Sequence, residues 1–270
     1  MIDLPAWSQP FLAANRATLE RRGPWGRVGR DWAFGDGTGK GVVVAIVDSG
    51  VEVDHPAVGG RLTASVAVEL SGDAATIVDA TGEGDVVGHG TAVAGIVHAL
   101  APAAELVSVR VLGADNRGRG AAFAAAIEWA VEAGAGVVNL SLSSRSEAYH
   151  GLFHDLADDA YFANCVLVCA ANNVPGASYP SLFAAVVSTA AHEVPDPSIW
   201  FYNPRPPVEF AAHGVDVDVA WRGGSRIVAT GNSFAAPHLA GYVARIRAAH
   251  PGATPFEVKT ILAATADNAR

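Results

Sequence analysis

The sequence contains only two cysteines, Cys165 and Cys169. They flank a run of valine and leucine, and a β-strand would hold residues four positions apart at about 13 Å, which is too far for a disulfide. Free thiols are typical of a protein in a reducing compartment. The first residues also lack the basic stretch and the continuous apolar stretch of a secretory signal. We therefore expect a cytoplasmic protein.

Long apolar runs and clusters of positive charge are absent as well. No segment has the roughly 20 consecutive apolar residues that cross a bilayer. Lysine and arginine number 18 against 27 acidic residues, which gives a net charge of -9. Because nucleic acids and anionic membrane surfaces are bound by clustered positive charge, the composition argues against both as partners. It leaves the oligomeric state open.

Half of the residues are apolar, and segments rich in valine, isoleucine and leucine alternate with alanine-rich stretches. This alternation is typical of βαβ units, in which helices cover both faces of a parallel sheet. The predicted strands are 42–47, 106–111, 137–142, 166–170 and 185–189, and the predicted helices are 91–100, 121–133, 234–249 and 254–266. Trp129 follows the apolar pattern of its helix and is expected in the core. We predict an α/β fold, a three-layer α/β/α sandwich with a mainly parallel central sheet.

Residues 1–36 differ from the rest of the chain, and we predict that they form an N-terminal arm packed on a domain of residues 37–270. The arm carries Trp7, Phe11 and Leu12, followed by a polar stretch and a glycine-rich turn. Apolar side chains in such a segment favour packing. We expect the arm to brace the domain, with restraint of an active site as the alternative.

Three short segments place an aspartate, a histidine and a serine at the edges of predicted elements. They are VVAIVDSG at 43–50, GHGTAVAG at 88–95 and GNSFAAPH at 231–238, and they contribute Asp48, His89 and Ser233. Taken alone, each residue fits a helix cap or a loop equally well. A serine hydroxyl becomes a nucleophile when a base lies within hydrogen-bond reach and a third group orients that base. The three segments together predict such a set.

With these motifs in the order Asp, His, Ser, the chain resembles the subtilisin-like serine peptidases, the subtilase family, of an intracellular type without a prodomain. The resemblance implies a subtilisin-like fold with the catalytic site at the carboxyl ends of the strands. It also implies a serine endopeptidase that cleaves peptide or protein substrates through an acyl-enzyme. A catalytically silent peptide-binding relative and a specialised peptide-processing protease or cyclase remain alternatives.

The resemblance further implies an oxyanion hole and a peptide-binding cleft. On the family's register Asn173 supplies an amide donor beside the backbone N–H of Ser233, and Asn172 is the competing candidate. An extended peptide would add as a strand between two chain edges. The predicted substrate-binding residues are Asn116, Arg117, Gly118, Ser141, Leu142, Ser143, Ala170, Ala171 and Asn172. Ser143 and Asn172 stand where the family often has glycine, which predicts a narrower primary pocket.

Several positions depart from the family pattern. Asn232 precedes the serine where the family has threonine, so an amide replaces a hydroxyl near the oxyanion, and Ala92 replaces a second histidine. Residues 97–102 lead into the next strand without the loop by which many secreted relatives bind calcium, and Ala57 replaces a carboxylate. Calcium takes about six to eight oxygen ligands. We therefore expect no calcium, no other metal and no cofactor.

The segment around Arg117 also suggests a substrate preference. Arg117 and Arg119 are expected beside the bound peptide, and Gly120 is expected to leave space for a long side chain. We predict a modest preference for Asp or Glu two to four residues before the cleaved bond, although solvated arginines without such a role are the alternative. Cys169 is expected near the pocket wall, in the role of a small core residue.

Overall fold

A computed structural model describes residues 28–72, 74–205 and 207–269. The strands of its central sheet are β1 Val43–Asp48, β2 Leu62–Ser71, β3 Ala74–Asp79, β4 Glu105–Arg110, β5 Val137–Leu140, β6 Val166–Ala170, β7 Val187–His192, β8 Trp200–Tyr202 and β9 Phe210–His213. The order across the sheet is β3-β2-β4-β1-β5-β6-β7-β9-β8. The pairs β2/β3 and β8/β9 at the two edges are antiparallel, and all other neighbours pair in parallel.

Six α-helices, two short 3₁₀ helices at Pro56–Val58 and Glu147–Tyr149, and a separate ribbon complete the described fold. The helices are α1 Arg30–Phe34, α2 His89–Leu100, α3 Gly120–Glu132, α4 His150–Phe162, α5 Asn232–Ala249 and α6 Pro255–Ala264. The ribbon consists of β10 Val217–Trp221 and β11 Ser225–Ala229, which pair in antiparallel fashion just before α5. Thr254 caps α6 in a capping box with Glu257, and Pro255 occupies the first turn.

Both faces of the sheet are buried, which explains why its central strands are continuously apolar. Along β1, Val44 and Ile46 pack into one hydrophobic cluster with side chains of α2, α5 and α6. Ala45 and Val47 point to the opposite face and pack with side chains of α3 and α4. The predicted three-layer α/β/α sandwich is therefore confirmed.

The predicted core residues occupy this interior. Trp129 is partly buried against the cluster beneath α3 and α4. Cys165 and Cys169 are both buried and unpaired, as expected. Burial raises the pKa of the Cys165 thiol to about 12, although the charge of Arg247 opposes the shift, so this thiol stays protonated at neutral pH. Cys169 is 0% exposed and belongs to the same cluster.

The described part of the N-terminal arm packs on the face that carries α5. The Phe34 ring of α1 lies 5.3 Å from Tyr242 and 6.0 Å from Trp200, between ring centroids. Arg30 stacks its guanidinium 4.0 Å over the Trp200 ring and pairs with Asp267 at 2.6 Å. The apolar residues Trp7, Phe11 and Leu12 lie outside the described residues, so the arm's boundary at 36 stays a prediction. Among the described helices, none has the length and apolar character needed to cross a bilayer.

Candidate active site

The fold brings the three motif residues to one edge of the sheet. Asp48 is the last residue of β1, His89 is the first residue of α2, and Ser233 lies in the first turn of α5. In a parallel sheet the carboxyl ends of the strands and the amino ends of the following helices meet at the same edge. Residues that are 41 and 144 positions apart in the chain therefore become neighbours.

These three side chains form a continuous hydrogen-bonded series. His89 Nδ1 lies 2.8 and 2.9 Å from the two carboxylate oxygens of Asp48. His89 Nε2 lies 3.0 Å from the hydroxyl oxygen of Ser233. Asp48 is 0% exposed, and the backbone N–H of Ser49 also donates to its carboxylate. With Nδ1 donating to Asp48, Nε2 is free to accept the Ser233 proton.

Two opposing influences set the pKa of His89. Burial lowers it and is the largest single influence, because a buried ring loses the hydration of its charged form. The charge of Asp48, its hydrogen bond and the charge of Asp85 together outweigh burial. The pKa of His89 therefore lies above its usual value, and an imidazolium formed here is stabilised.

A second aspartate organises the amino end of α2, and the sequence reasoning missed it. The Asp85 carboxylate accepts five hydrogen bonds: one from the Ser49 hydroxyl, two from the backbone of Val87 and Gly88, and two from the backbone and hydroxyl of Thr91. The Ser49 hydroxyl in turn accepts from the backbone of Gly90. This network links the end of β1 to the start of α2, on either side of the Asp48 and His89 pair.

Gly88 allows the sharp entry into α2. Its φ is 116°, in the left-handed region that favours glycine, and a Cβ there would lie 2.5 Å from the Trp221 ring. A Cβ on Gly90 would collide with the Gly50 carbonyl oxygen. The glycines around His89 are therefore required by close packing of backbone and side chains.

Asn173, the predicted oxyanion donor, lies beside Ser233. Its Oδ1 accepts from the backbone N–H of Asn232 at 2.9 Å, which leaves its Nδ2 group as a donor. A Cβ built on Gly231 would be 3.5 Å from that Nδ2 and 3.3 Å from the Ser233 hydroxyl oxygen, so the two groups border the same space. The neighbouring Asn172 turns its Oδ1 back onto the N–H of Val174, a local turn bond.

The predicted substrate residues are brought together only in part. A cleft of about 380 Å³ contains His89, Ser233 and Asn173 and is otherwise lined by Leu112, Asn116, Ser141, Leu142, Ser143, Ala170, Ala171, Asn172 and Val174. Leu112 and Val174 were missed, although each follows a predicted strand at the edge that carries the site. Cys169 is not among the lining residues. Among the residues that the structure describes, no charged side chain other than a protonated His89 lines this cleft.

The segment Asn116-Arg117-Gly118, predicted to be one edge for an added peptide strand, lies in a turn, and its role in binding substrate stays a prediction. Asn116 has a φ of 58°, and the N–H of Gly113 donates to the Arg117 carbonyl, so the segment closes a turn. Of its three residues, only Asn116 lines the cleft. Gly118 instead packs against the backbone of Val111.

The groups on which the predicted acidic preference rests make contacts elsewhere, and the preference itself stays a prediction. Arg119 donates to the carbonyl oxygen of Gly72 in the turn between β2 and β3, at 2.8 Å. Gly120 does not leave open space, because the Tyr149 ring occupies the position that a Cβ would take. Arg117 is exposed outside the cleft. These contacts give an acidic substrate side chain no cation inside the cleft.

The short connection after α2 is as predicted. The helix ends at Leu100, the N–H of Ala101 donates to the Val97 carbonyl, and β4 begins at Glu105. In the part of the chain that the structure describes, no three His, Cys, Asp or Glu side chains converge as a metal site. The expectation of a calcium-independent fold stays a prediction.

Comparison with known proteins agrees with this geometry. The model of the Subtilase family, Peptidase_S8, matches residues 39–270. Subtilisin BL of Lederbergia lenta is 33% identical over 90% of this chain and 91% of its own length. An alkaline protease of Shouchella clausii is 32% identical over 97% of this chain and 69% of its own length. A cold adapted subtilisin-like serine proteinase superposes with a TM-score of 0.70 at 24% identity, covering 86% of each chain.

A parallel sheet with an Asp, His and Ser series at its carboxyl edge, next to an amide donor, defines a serine peptidase. The chain belongs to the subtilase family, and it is a serine endopeptidase that acts on peptide or protein substrates.

Proposed function

We propose that Ser233 is the nucleophile, that His89 is its general base, and that Asp48 orients and stabilises the imidazole. The observation that carries this proposal is the series of contacts from Asp48 through His89 to Ser233, at 2.8 and 3.0 Å. In such a series the histidine accepts the serine proton as the serine attacks, and the ionised aspartate stabilises the imidazolium that forms.

The reaction then proceeds in two halves. Ser233 Oγ adds to the carbonyl carbon of the scissile peptide bond while its proton passes to His89 Nε2. The tetrahedral intermediate collapses, the C–N bond breaks, and His89 returns the proton to the leaving amine. Water then attacks the acyl-enzyme with His89 again as base, which releases the acid and restores Ser233.

Asn173 Nδ2 and the backbone N–H of Ser233 are the proposed donors to the oxyanion of each tetrahedral intermediate. The support for Asn173 is its orientation, since its Oδ1 is held by the Asn232 N–H and its Nδ2 borders the Ser233 hydroxyl. The Ser233 N–H lies in the first turn of α5, where helix N–H groups have no intrahelical partners. Fixed donors of this kind stabilise charge only as it develops.

The cleft favours an uncharged substrate side chain. Its lining combines the apolar side chains of Leu112, Leu142 and Val174 with uncharged polar side chains such as Ser143 and Asn172. Burying an unpaired charge among such groups is costly. We therefore propose cleavage after small or medium uncharged residues, with Ser143 and Asn172 narrowing the pocket, and a peptide-processing role on a restricted set of substrates.

The proposed mechanism is tested with a fluorophosphonate probe, which modifies an activated serine covalently. Wild type is expected to be labelled at Ser233, with loss of hydrolysis in proportion to labelling. Ser233→Ala is expected to lose labelling and several orders of magnitude in turnover. His89→Ala and Asp48→Ala should also lower turnover, but combining either of them with Ser233→Ala should lower it little further, because the three residues act as a unit. Near-normal turnover in Ser233→Ala would contradict the proposal. Product mass separates hydrolysis from cyclisation, and an unlabelled wild type would favour a silent peptide binder.

We also infer a cytoplasmic location. The support is the pair of buried cysteines, Cys165 and Cys169, which lie four residues apart around β6 without a disulfide. Fractionation of cells that produce the protein tests this location. Recovery of the protein from the culture medium of intact cells would contradict it.

A further inference from the structure

The residue before the nucleophile, Asn232, uses its whole side-chain amide to join three backbone groups. Its Oδ1 accepts from the N–H of Ala191 in β7 at 2.8 Å. Its Nδ2 donates to the carbonyls of Ala171 at 3.0 Å and Asn172 at 3.3 Å, directly after β6. One side chain at the amino end of α5 therefore holds the ends of two neighbouring strands.

The backbone of Asn232 makes a fourth contact, and this one reaches the oxyanion donor itself. Its N–H donates to Asn173 Oδ1, so the carbonyl side of that amide is fixed and the Nδ2 side faces the space beside Ser233. Asn232 thus contacts three consecutive residues, Ala171, Asn172 and Asn173. The Asn232 side chain fixes the backbone of Ala171 and Asn172, just before the donor residue. The Asn232 N–H fixes the rotation of the Asn173 side-chain amide.

A threonine at this position could not make the same set of contacts. A hydroxyl has one proton to donate, whereas an amide has two protons and a separate carbonyl oxygen. Only the amide can bond two carbonyls and one N–H at once. The Asn232 amide is fully used in these contacts, and it is therefore directed at the backbone instead of the oxyanion.

We propose that Asn232 is a positioning residue, which sets the distance between the Asn173 amide and Ser233 without touching the reacting atoms. The inference rests on the proposed role of Asn173. Donors to an oxyanion act through close distances, about 2.7 to 3.1 Å, so a small shift of the segment after β6 weakens them. Loss of the Asn232 amide should therefore slow the chemical step and leave ground-state binding of a peptide little changed.

The test compares Asn232→Ala, Asn173→Ala and the double variant. Active sites are first titrated by the acyl-enzyme burst, so that kcat is measured per functional site, and affinity is measured for a peptide boronic acid, which forms a tetrahedral adduct with the serine. We expect Asn232→Ala to lower kcat per site about 10- to 100-fold, with KM within about twofold and a parallel loss of boronate affinity. In the Asn173→Ala background the same substitution should cost less than about threefold, because its effect passes through Asn173.

Asn203 provides a matched control. Its amide also bonds three backbone groups: it donates to the carbonyls of Arg205 and Val208 and accepts from the N–H of Arg205. It lies just after β8 and does not line the cleft. Asn203→Ala is expected to lower the melting temperature while kcat per titrated site stays at the wild-type value.

The outcomes separate the inference from the proposed function. A lower melting temperature with unchanged kcat per site in Asn232→Ala would give Asn232 a structural role only and overturn the inference. If Asn232→Ala lowers kcat as much in the Asn173→Ala background as it does in the wild type, the inference is also overturned. If Asn173→Ala alone keeps wild-type kcat, the oxyanion assignment itself is wrong and the inference falls with it. Should Asn232→Ala fail to fold, Asn232→Thr replaces it, with an intermediate loss expected because one hydroxyl keeps one of the carbonyl bonds.

Discussion

Replacing Asp85 by asparagine should both destabilise the protein and shift its pH dependence. One oxygen of the Asp85 carboxylate accepts from Ser49, Val87 and Gly88, and the other accepts from the N–H and hydroxyl of Thr91. Asparagine keeps one acceptor oxygen, so three contacts survive on that side. On the other side its NH₂ group faces the Thr91 N–H, which is also a donor. The Thr91 N–H bond is therefore lost, and the Thr91 hydroxyl, which can accept from this NH₂ group, no longer bonds to a charge.

The size of the stability loss follows from those two contacts. Hydrogen bonds to a charged group contribute about 1.5 to 3 kcal/mol each, and the partial exposure of Asp85 places the total near 2 to 4 kcal/mol. For a domain of this size that loss lowers the melting temperature by roughly 5 to 12 °C. Asp79→Asn is the control, because the exposed Asp79 also accepts from the N–H and hydroxyl of a threonine, Thr81, and does so through a single oxygen that asparagine keeps.

The pH effect has a definite sign. His89 must be neutral to accept the serine proton, so kcat/KM rises as the pH passes the pKa of His89. The negative charge of Asp85 is one of the influences that raise this pKa. Asp85→Asn should therefore move the acid limb of the profile to lower pH, while Asp79→Asn leaves it in place. An acid limb that stays in place or moves to higher pH in Asp85→Asn would refute this account of the site.

Three further predictions concern stability. Burial lowers the pKa of His238 to about 4, with smaller contributions from the charges of His213 and His192. Below about pH 6.5 the unfolded chain binds a proton at this histidine that the folded protein does not bind. The free energy of unfolding should therefore fall between about pH 6.5 and pH 4, by at most about 3 kcal/mol. Denaturant titrations of His238→Gln should show a shallower decline, and an equal decline would exclude His238 as the cause. Phe34→Ala should lower the free energy of unfolding by about 3 to 4 kcal/mol without raising turnover, because the ring packs against Tyr242 and Trp200. The control Phe162→Ala should lower it by less than about 0.5 kcal/mol, because that side chain is 82% exposed. Faster turnover in Phe34→Ala would favour inhibition by the arm. Thermal melts in chelator and in millimolar calcium should coincide, and a calcium-dependent rise of many degrees would reveal a site that binds the folded state.

The buried strands and the catalytic motifs were predictable because local composition determines both. The predicted strand 42–47 differs from β1 by a single residue at each end, since a strand buried on both faces is continuously apolar. The predicted strand 185–189 ends before β7 does, at His192, because Ala190, Ala191 and His192 become strand only by pairing with β9. The hairpin of β2 and β3 was missed because its strands are half exposed and mix polar with apolar residues.

The conformation of the predicted substrate edge could not be read from its motif, for a different physical reason. Asn116-Arg117-Gly118 was assigned by resemblance as an extended edge, but the turn bond from Gly113 and the positive φ of Asn116 redirect the chain. Tyr149 then fills the space at Gly120 from a helical segment whose position the local sequence does not report. Such contacts join residues that are about 30 positions apart, and a motif of three residues carries no information about them.

The positions of Asp85 and Asn232 show the same limit within the active site. The motifs name the groups that carry the chemistry, whereas the groups that hold them in place are read only from the hydrogen bonds. Asp85 lies four residues before His89 and bonds the backbone on both sides of it, and Asn232 spans the ends of β6 and β7. Because a relay of 2.8 and 3.0 Å contacts tolerates little displacement, residues that never touch the substrate should govern how well this peptidase works.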